Sequence, residues 1–458
     1  MRRRNARPIS RYGLLVAAFV AVAMILGGGG SPSPKAEIIV QLGFVAALIG
    51  WVWWAPARQN EPLLPVPREL IWLGGMLICL PLLQLVPLPP GLWQALPGRE
   101  LETASLSLVG GDATWQPISV SPSRTLAGLL ALVSAVATMW ATAQLPPHDR
   151  RTIILTVACL ALIGAMLGAL QLASGNGAFQ LYELSHRGWL TAFHANRNAA
   201  VDVLLIGSLA MSAYFASKAM PPAILRRRIP VLVAGQAVLL VAAVLTGSRM
   251  GVLLILLVLA LNAAILRPIT EGRTLKFAGR AASFFVILLL ALPVILAGNP
   301  RLAAVASRFD AAGDARLTLW RDTLSAIEAF FPVGSGIGSF PVAFAPHQSF
   351  ESISAAFINR AHNEYLEFLL EAGMAAPLII GGGGYLLFRS GRAAWTQAPW
   401  DRAPQIFAVG TLAVIALHSL VDYPLRNMAI ACLAAVAAGL LTPTRQTRED
   451  RREADGDR

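Results

Sequence analysis

The sequence predicts an all-α polytopic membrane protein with about twelve transmembrane helices and a long periplasmic loop carrying short helices. Three observations predict it. Charged residues are 14% of the 458-residue chain and hydrophobic residues 56%, whereas about 25% charged is ordinary for a soluble protein. Apolar runs of roughly 20 residues recur, each long enough to cross a ~30 Å hydrocarbon core as a helix. The mean hydropathy of +0.61, with 39 glycines and 30 prolines, suits membrane helices and their connections and excludes a soluble multidomain enzyme.

Bounded by charge or by Pro and Gly, the candidate spans fall near 13–30, 36–54, 70–87, 125–143, 152–172, 198–217, 230–246, 250–266, 281–297, 369–388, 404–420 and 427–442. The first follows Arg2, Arg3, Arg4 and Arg7, as in the n-region of a secretory signal, but no small-x-small cleavage site follows it. With the N-terminus in the cytoplasm and alternating sides, 25 of the 37 Lys and Arg residues lie inside, as the positive-inside rule requires. Both termini are then cytoplasmic. The expected organisation is 1–297 with about nine spans, a periplasmic loop at 298–368 with interfacial helices, 369–442 with about three spans, and a disordered cytoplasmic tail at 443–458. No repeat or six-plus-six duplication is visible.

The net charge of +12 sits beside the spans, so it implies contact with membrane lipids and no nucleic acid. Cys79, Cys159 and Cys432 all fall inside apolar runs and are expected to be small buried residues, not a disulfide framework or zinc cluster.

Eleven of the twelve outward cations are arginines, whose planar fork grips phosphate oxygens in bidentate fashion. Arg249 is the most telling. It lies in Thr246-Gly-Ser-Arg-Met-Gly251, a short turn between two apolar helices, where an unpartnered charge is expensive. Arg316 and Arg321 flank Trp320 in a segment whose Leu317, Trp320, Leu324 and Ile327 recur at helical spacing, expected to pack on the bundle or on lipid. Gly334-Ser-Gly-Ile-Gly338 lacks the order of a nucleotide-binding loop and is expected to be a tight turn.

Arg360-Ala-His-Asn-Glu-Tyr-Leu-Glu-Phe-Leu-Leu-Glu371 runs a polar cluster into an apolar span. On one helix Arg360 and Glu364 would pair, with Glu364, Glu367 and Glu371 on one side and His362 at the outer end. A histidine there can accept a proton near neutral pH, with a carboxylate to orient it; a helix start held by ion pairs is the plainer alternative. A metal site is not expected, because no second histidine stands at i,i+4 and no HExxH occurs. Two further polar interruptions, His194-Ala-Asn-Arg-Asn198 and His418-Ser-Leu-Val-Asp-Tyr-Pro-Leu-Arg426, divide evenly between structure and function. In them Asn198 is a candidate helix cap and Asp422 a candidate partner of Arg426. The acidic pair Asp455-Gly-Asp457 belongs to the polar tail.

Taken together, the sequence resembles the bacterial family of O-antigen ligases and polymerases, membrane glycosyltransferases that also include protein O-oligosaccharyltransferases. The resemblance rests on Leu85-Val-Pro-Leu-Pro-Pro90, Ala195-Asn-Arg-Asn198, Thr246-Gly-Ser-Arg249, Arg316-x-x-x-Trp320, Gly334-x-Gly-x-Gly338, His362-Asn-Glu-Tyr-Leu-x-x-x-x-Glu371-x-Gly373 and His418-Ser-Leu-Val-Asp-Tyr-Pro424. Ala199-Ala200 departs from a pattern that often has a histidine there. The resemblance implies transfer of a glycan from a polyprenyl-pyrophosphate donor to a glycan, lipid A-core or protein acceptor at the outer face of the inner membrane, without metal or cofactor. It carries arginines onto Arg249 and Arg316 and the histidine onto His362.

The chemistry asks for the same parts: fixed cations for the leaving pyrophosphate and a base for the acceptor hydroxyl. The expected roles are His362 as base with Glu371 or Glu364 orienting it, and Arg249, Arg316, Arg321, Arg360 and Arg197 as pyrophosphate contacts. Attack opposite the leaving group would invert the anomeric centre. The alternative is a secondary transporter or flippase of anionic lipid-linked glycans, which predicts pseudo-symmetric halves and broken helices near the midplane.

Overall fold

The computed structural model describes residues 9–29, 34–54, 63–175, 177–216, 222–270, 316–350, 353, 357–395 and 402–442. Among them the regular structure is helical apart from one antiparallel bridge, β1 (Pro87–Leu88) with β2 (Gln116–Pro117). The first ten helices are α1 (Arg11–Leu26), α2 (Pro34–Trp53), α3 (Arg68–Gln84), α4 (Pro90–Trp93), α5 (Glu100–Ser107), α6 (Pro122–Gln144), α7 (Pro147–Ser174), α8 (Arg197–Ala216), α9 (Pro222–Leu245) and α10 (Arg249–Thr270). After them come α11 (Arg316–Phe330), α12 (Phe340–Phe344), α13 (Glu364–Ala372), α14 (Ala375–Trp395), α15 (Ala403–His418) and α16 (Met428–Leu440).

Eleven of the expected apolar stretches coincide with helices; the one near 281–297 lies outside the described residues, as do the 443–458 tail and its Asp455-Gly-Asp457. Six described helices, α2 and α6 to α10, are long and apolar enough to cross a membrane; α1, α15 and α16 are apolar but shorter. The long loop is described only in part.

Burial sorts these helices. In α8 94% of the apolar window is buried, against 11% in α2, which makes α8 the central helix and α2 a peripheral one. A sequence apolar on nearly every side, broken by the buried Asp202, Ser208 and Ser212, suits the first position, and α7, α9, α10 and α15 surround it. A second cluster joins α3, α6, α14 and α16 through Leu73, Val136 and Ala435. A third, small one packs α11, α12 and α13 together around Phe330, Phe340, Phe344 and Leu370.

The expected apolar stripe on α11 is split: Ile327 is buried and Trp320 packs against the α11–α13 cluster. Leu317 and Leu324 are exposed, because the helix turns Leu319, Thr323, Ala326 and Phe330 inward against α12 and α13. Cysteine burial differs too. Cys432 is buried, but Cys79 and Cys159 lie exposed on the surfaces of α3 and α7.

Hydrogen bonds define two ends of the bundle. At one end, the chain after α1 meets the start of α8 (Ala195 N to Gly28 O, 2.8 Å) and the start of α16 (Asn427 Nδ2 to Gly29 O, 3.3 Å). The α9–α10 turn joins it through Leu190 N to Leu245 O, and α13 through Glu364 N to Ser419 O. At the opposite end Asp149 accepts from Ser10 N at 3.0 Å and from the Ser10 hydroxyl. There the buried Arg150 guanidinium donates to Leu145, Ala143 and Thr442 carbonyls, stapling the α6–α7 connection to the end of α16.

Candidate active site

The first end carries His362. The sequence from Arg360 onward does not start the helix: α13 begins at Glu364, capped by Asn363, whose Oδ1 accepts from Tyr365 N at 3.0 Å and Leu366 N at 3.1 Å. His362 stands just before the cap with φ +49°, a left-handed conformation uncommon outside glycine and worth a functional question. Its neighbours hold it there. Ala361 N donates to Glu367 Oε2 at 3.0 Å, and the Ala361 carbonyl accepts from the Trp320 indole at 3.1 Å. The Arg-x-x-x-Trp spacing on α11 therefore buttresses the residue before His362.

Arg360 and Glu364 do not pair as they would on one helix. Arg360 Nη1 donates to Glu367 Oε1 at 2.8 Å, while Glu364 faces Arg426 (Nε to Oε1, 3.0 Å) and the Leu425 N–H (2.9 Å). Arg426 also reaches Glu371 Oε2 at 2.8 Å. Glu364, Glu367 and Glu371 are thus gathered on Arg426, all three buried. Burial pushes Glu364 up to about 7 against the pull of Arg426. In Glu367 the opposing burial is overcome by the Arg426 and Arg360 guanidiniums, which hold it below the usual carboxylate range.

The glycine turn at 334–338 is laced to the other end of α13. Ser335 N donates to Leu370 O and Gly336 N to Glu371 O, each at 2.9 Å, and Gln84 bridges Glu371 O and Ile337 N. Gly373 has φ +54°, and a Cβ there would fall on the Pro332 carbonyl, so this crossing requires glycine.

The carboxylate facing His362 comes from elsewhere. Nδ1 of His362, buried although the side chain is 37% exposed, stands 3.4 Å from Asp422 Oδ1, with the ring edge-on to Tyr423. Asn198 Nδ2 donates to Asp422 Oδ2 at 2.6 Å. Burial opposes ionisation of Asp422, but the His362 and His418 rings and the Asn198 amide hold it below the usual range. Deeper in, His418 Nδ1 is 2.6 Å from Asp202 Oδ1, both side chains almost fully buried. Asn198 is therefore not the cap of α8; Asn196 Oδ1 accepts from Asn198 N at 2.8 Å instead. His194, alongside, is fully buried, and burial pushes it down to about 4.

The arginines divide. Arg316, half-buried at the start of α11, is close enough for its charge to be felt at His418. Arg249, also half-buried, opens α10, where Gly251 faces Val201 of α8, one turn from Asn198. Gly247 lies against Trp189, and Arg197 covers the same indole with Cζ 4.8 Å from the ring centroid. Arg321 is exposed on α11. Among the described residues no three His, Cys, Asp or Glu side chains form a metal-holding group.

Asp202 was the residue that motif reasoning passed over. Its signal was a carboxylate inside an apolar span, where a charge is a functional candidate by default. Asp422 and Arg426 were legible as polar, but not as belonging to two different clusters.

Residues 234–381 match the family model described as O-antigen ligase. The matched stretch contains Arg249, Arg316, Arg321, Arg360, His362, Glu364 and Glu371 and excludes Arg197, Asp202, His418, Asp422 and Arg426. A search of the curated proteins finds no match.

Proposed function

We propose that this chain, which carries a domain of the O-antigen ligase family, transfers a glycan from a polyprenyl-pyrophosphate carrier to an acceptor hydroxyl, as an O-antigen ligase or surface-polysaccharide polymerase. The observation that carries the reading is His362, held on a left-handed bend with Nδ1 turned inward to Asp422. That leaves Nε2 as the nitrogen able to meet an acceptor.

In the proposed step Nε2 takes the acceptor hydroxyl proton as the acceptor oxygen attacks the anomeric carbon. The bond from that carbon to the pyrophosphate oxygen breaks, and the polyprenyl pyrophosphate leaves with the electron pair. Attack opposite the leaving group inverts the anomeric centre. Asp422 balances the charge that arises on His362, and Arg249 and Arg316, at the same end of the bundle, meet the charge that develops on the pyrophosphate. Glu364 and Glu371, expected to orient the base, are better read as holding Arg426.

The His362 end of the bundle then faces the periplasm, with twelve spans and both termini in the cytoplasm, in the inner membrane. This orientation places the site where lipid-linked glycans are presented and agrees with the distribution of Lys and Arg along the sequence.

The test is transfer by purified protein in detergent from a polyprenyl-pyrophosphate oligosaccharide, following released carrier and glycosylated product. Wild type should turn over, His362→Ala should lose about 10²-fold or more, and Arg249→Lys should be nearly as impaired because the bidentate fork is gone. Folded wild type that makes no product with lipid A-core, glycan or protein acceptors overturns the reading, and carrier flux in proteoliposomes would then point to a transporter.

A further inference from the structure

The step above gives Asp202 and His418 nothing to do. Asp202 lies in the second turn of α8 and His418 is the last residue of α15; their side chains are 1% and 2% exposed and 2.6 Å apart. An ionisable pair at that depth is costly, and well-packed apolar residues would serve stability as well or better. Its presence calls for another reason.

Three observations point it toward Asp422. The Asp202 Oδ2 atom has no hydrogen-bond partner although it is buried. Asp202 and Asp422 lie close enough to feel each other's charge, and each feels His418. The His418 carbonyl also accepts from the N–H of Val421 and of Asp422, each at 3.0 Å. One residue therefore sets both the turn that carries Asp422 and the ring that Asp202 holds. The other groups facing this set are Arg316 on α11, Asn198 on α8, and His362 and Tyr423.

We propose that His418 and Asp202 are a positioning pair for the transfer step. An imidazolium held by Asp202, with its charge felt at Asp422, keeps Asp422 ionised and aimed at His362. Charge then alternates from Asp202 through His418 and Asp422 to His362, from the bundle interior to the exposed ring. Without His418, two carboxylates would face each other in a buried site, and one would take up a proton or swing away. Neither residue touches substrate. The inference rests on the transfer reading and adds to it the residues that set the state of the orienting carboxylate.

The experiment compares His418→Gln, Asp202→Asn, Asp422→Asn and the His418→Gln/Asp422→Asn double variant in the detergent transfer assay, with thermal unfolding as the check on folding. Each of the first two should lower kcat by about tenfold or more while KM for the donor stays within about twofold. In the Asp422→Asn background, His418→Gln should cost less than about threefold further, because its target carboxylate is already gone. Wild-type kcat in His418→Gln overturns the proposal. A repeated tenfold loss in the Asp422→Asn background also overturns it, since an additive effect marks a merely structural residue. If His418→Gln does not fold, Asp202→Asn, which conserves shape, carries the same comparison with Asp422→Asn. Folded wild type without product removes the transfer reading, and this proposal with it.

Discussion

Two charge clusters lie side by side at the His362 end, and they are built in opposite ways. Around Arg426 the carboxylates are spent: Glu364 accepts from Arg426 and Leu425 N, Glu367 from Arg360 and Ala361 N, and Glu371 from Arg426. Around Asp422 capacity is left over, for His362 Nδ1, Asp422 Oδ1 and Asp202 Oδ2 are buried without a hydrogen-bond partner. Buried polar groups are normally satisfied, so a cluster of exceptions needs a reason. The contrast separates the Arg426 knot, which fastens α13 to the α15–α16 connection, from the Asp422 group, whose unfilled hydrogen-bonding capacity is what the proposed transfer step would use.

The largest effect should come from cutting the knot. Arg426→Leu would leave three buried carboxylates with only Arg360 to balance them, and breaking a buried pair from one side costs about 3–5 kcal/mol. A loss of folded protein, or a steep fall in the detergent unfolding midpoint, is expected; a wild-type midpoint would break the distinction between the clusters. Asp422→Asn tests the other side. Transfer should fall by about 10²-fold, since a positioned base contributes 10² or more, while the unfolding midpoint stays near wild type. Collapse of stability with Asp422→Asn would show that the Asp422 group, too, is a fastening.

The fold class was legible because composition and the length of apolar runs are set by the bilayer, not by tertiary detail. Eleven helices stand where those runs stand. The residues of the candidate site were partly legible as candidates: His362, Arg249 and Arg316 stood out as ionisable groups beside apolar helices. Their partners did not, because pairing at this end is long-range. Asp422 meets Asn198, 224 residues away, and His418 meets Asp202, 216 residues away. Helical spacing offered Glu364 and Glu371 as the nearest carboxylates to His362, yet α13 starts after His362, and its left-handed bend turns the ring toward the α15–α16 connection. Local periodicity can propose which residues share a helix face, but not where the helix begins relative to a bend.

The smallest effect concerns protons within the knot. Glu364, lifted by burial to about 7 from 4.5, binds in the folded state a proton that the unfolded chain releases above pH 4.5. Its stabilising contribution is complete below 4.5, declines as pH rises toward 7, and is gone above it, with a slope of at most about 1.4 kcal/mol per pH unit. Glu367, held low, acts with the opposite sign and is lost only on acidification. His194, buried and held near 4, also favours rising pH between about 4 and 6.5, and Asp422 is held low as well, so the wild-type profile mixes several terms. Glu364→Gln separates them. The wild-type midpoint minus that of the variant should fall steadily from pH 5 to 7.5, because only wild type carries a group that loses its proton over that range. A difference that is flat across that range would remove Glu364 as the group that carries the extra proton.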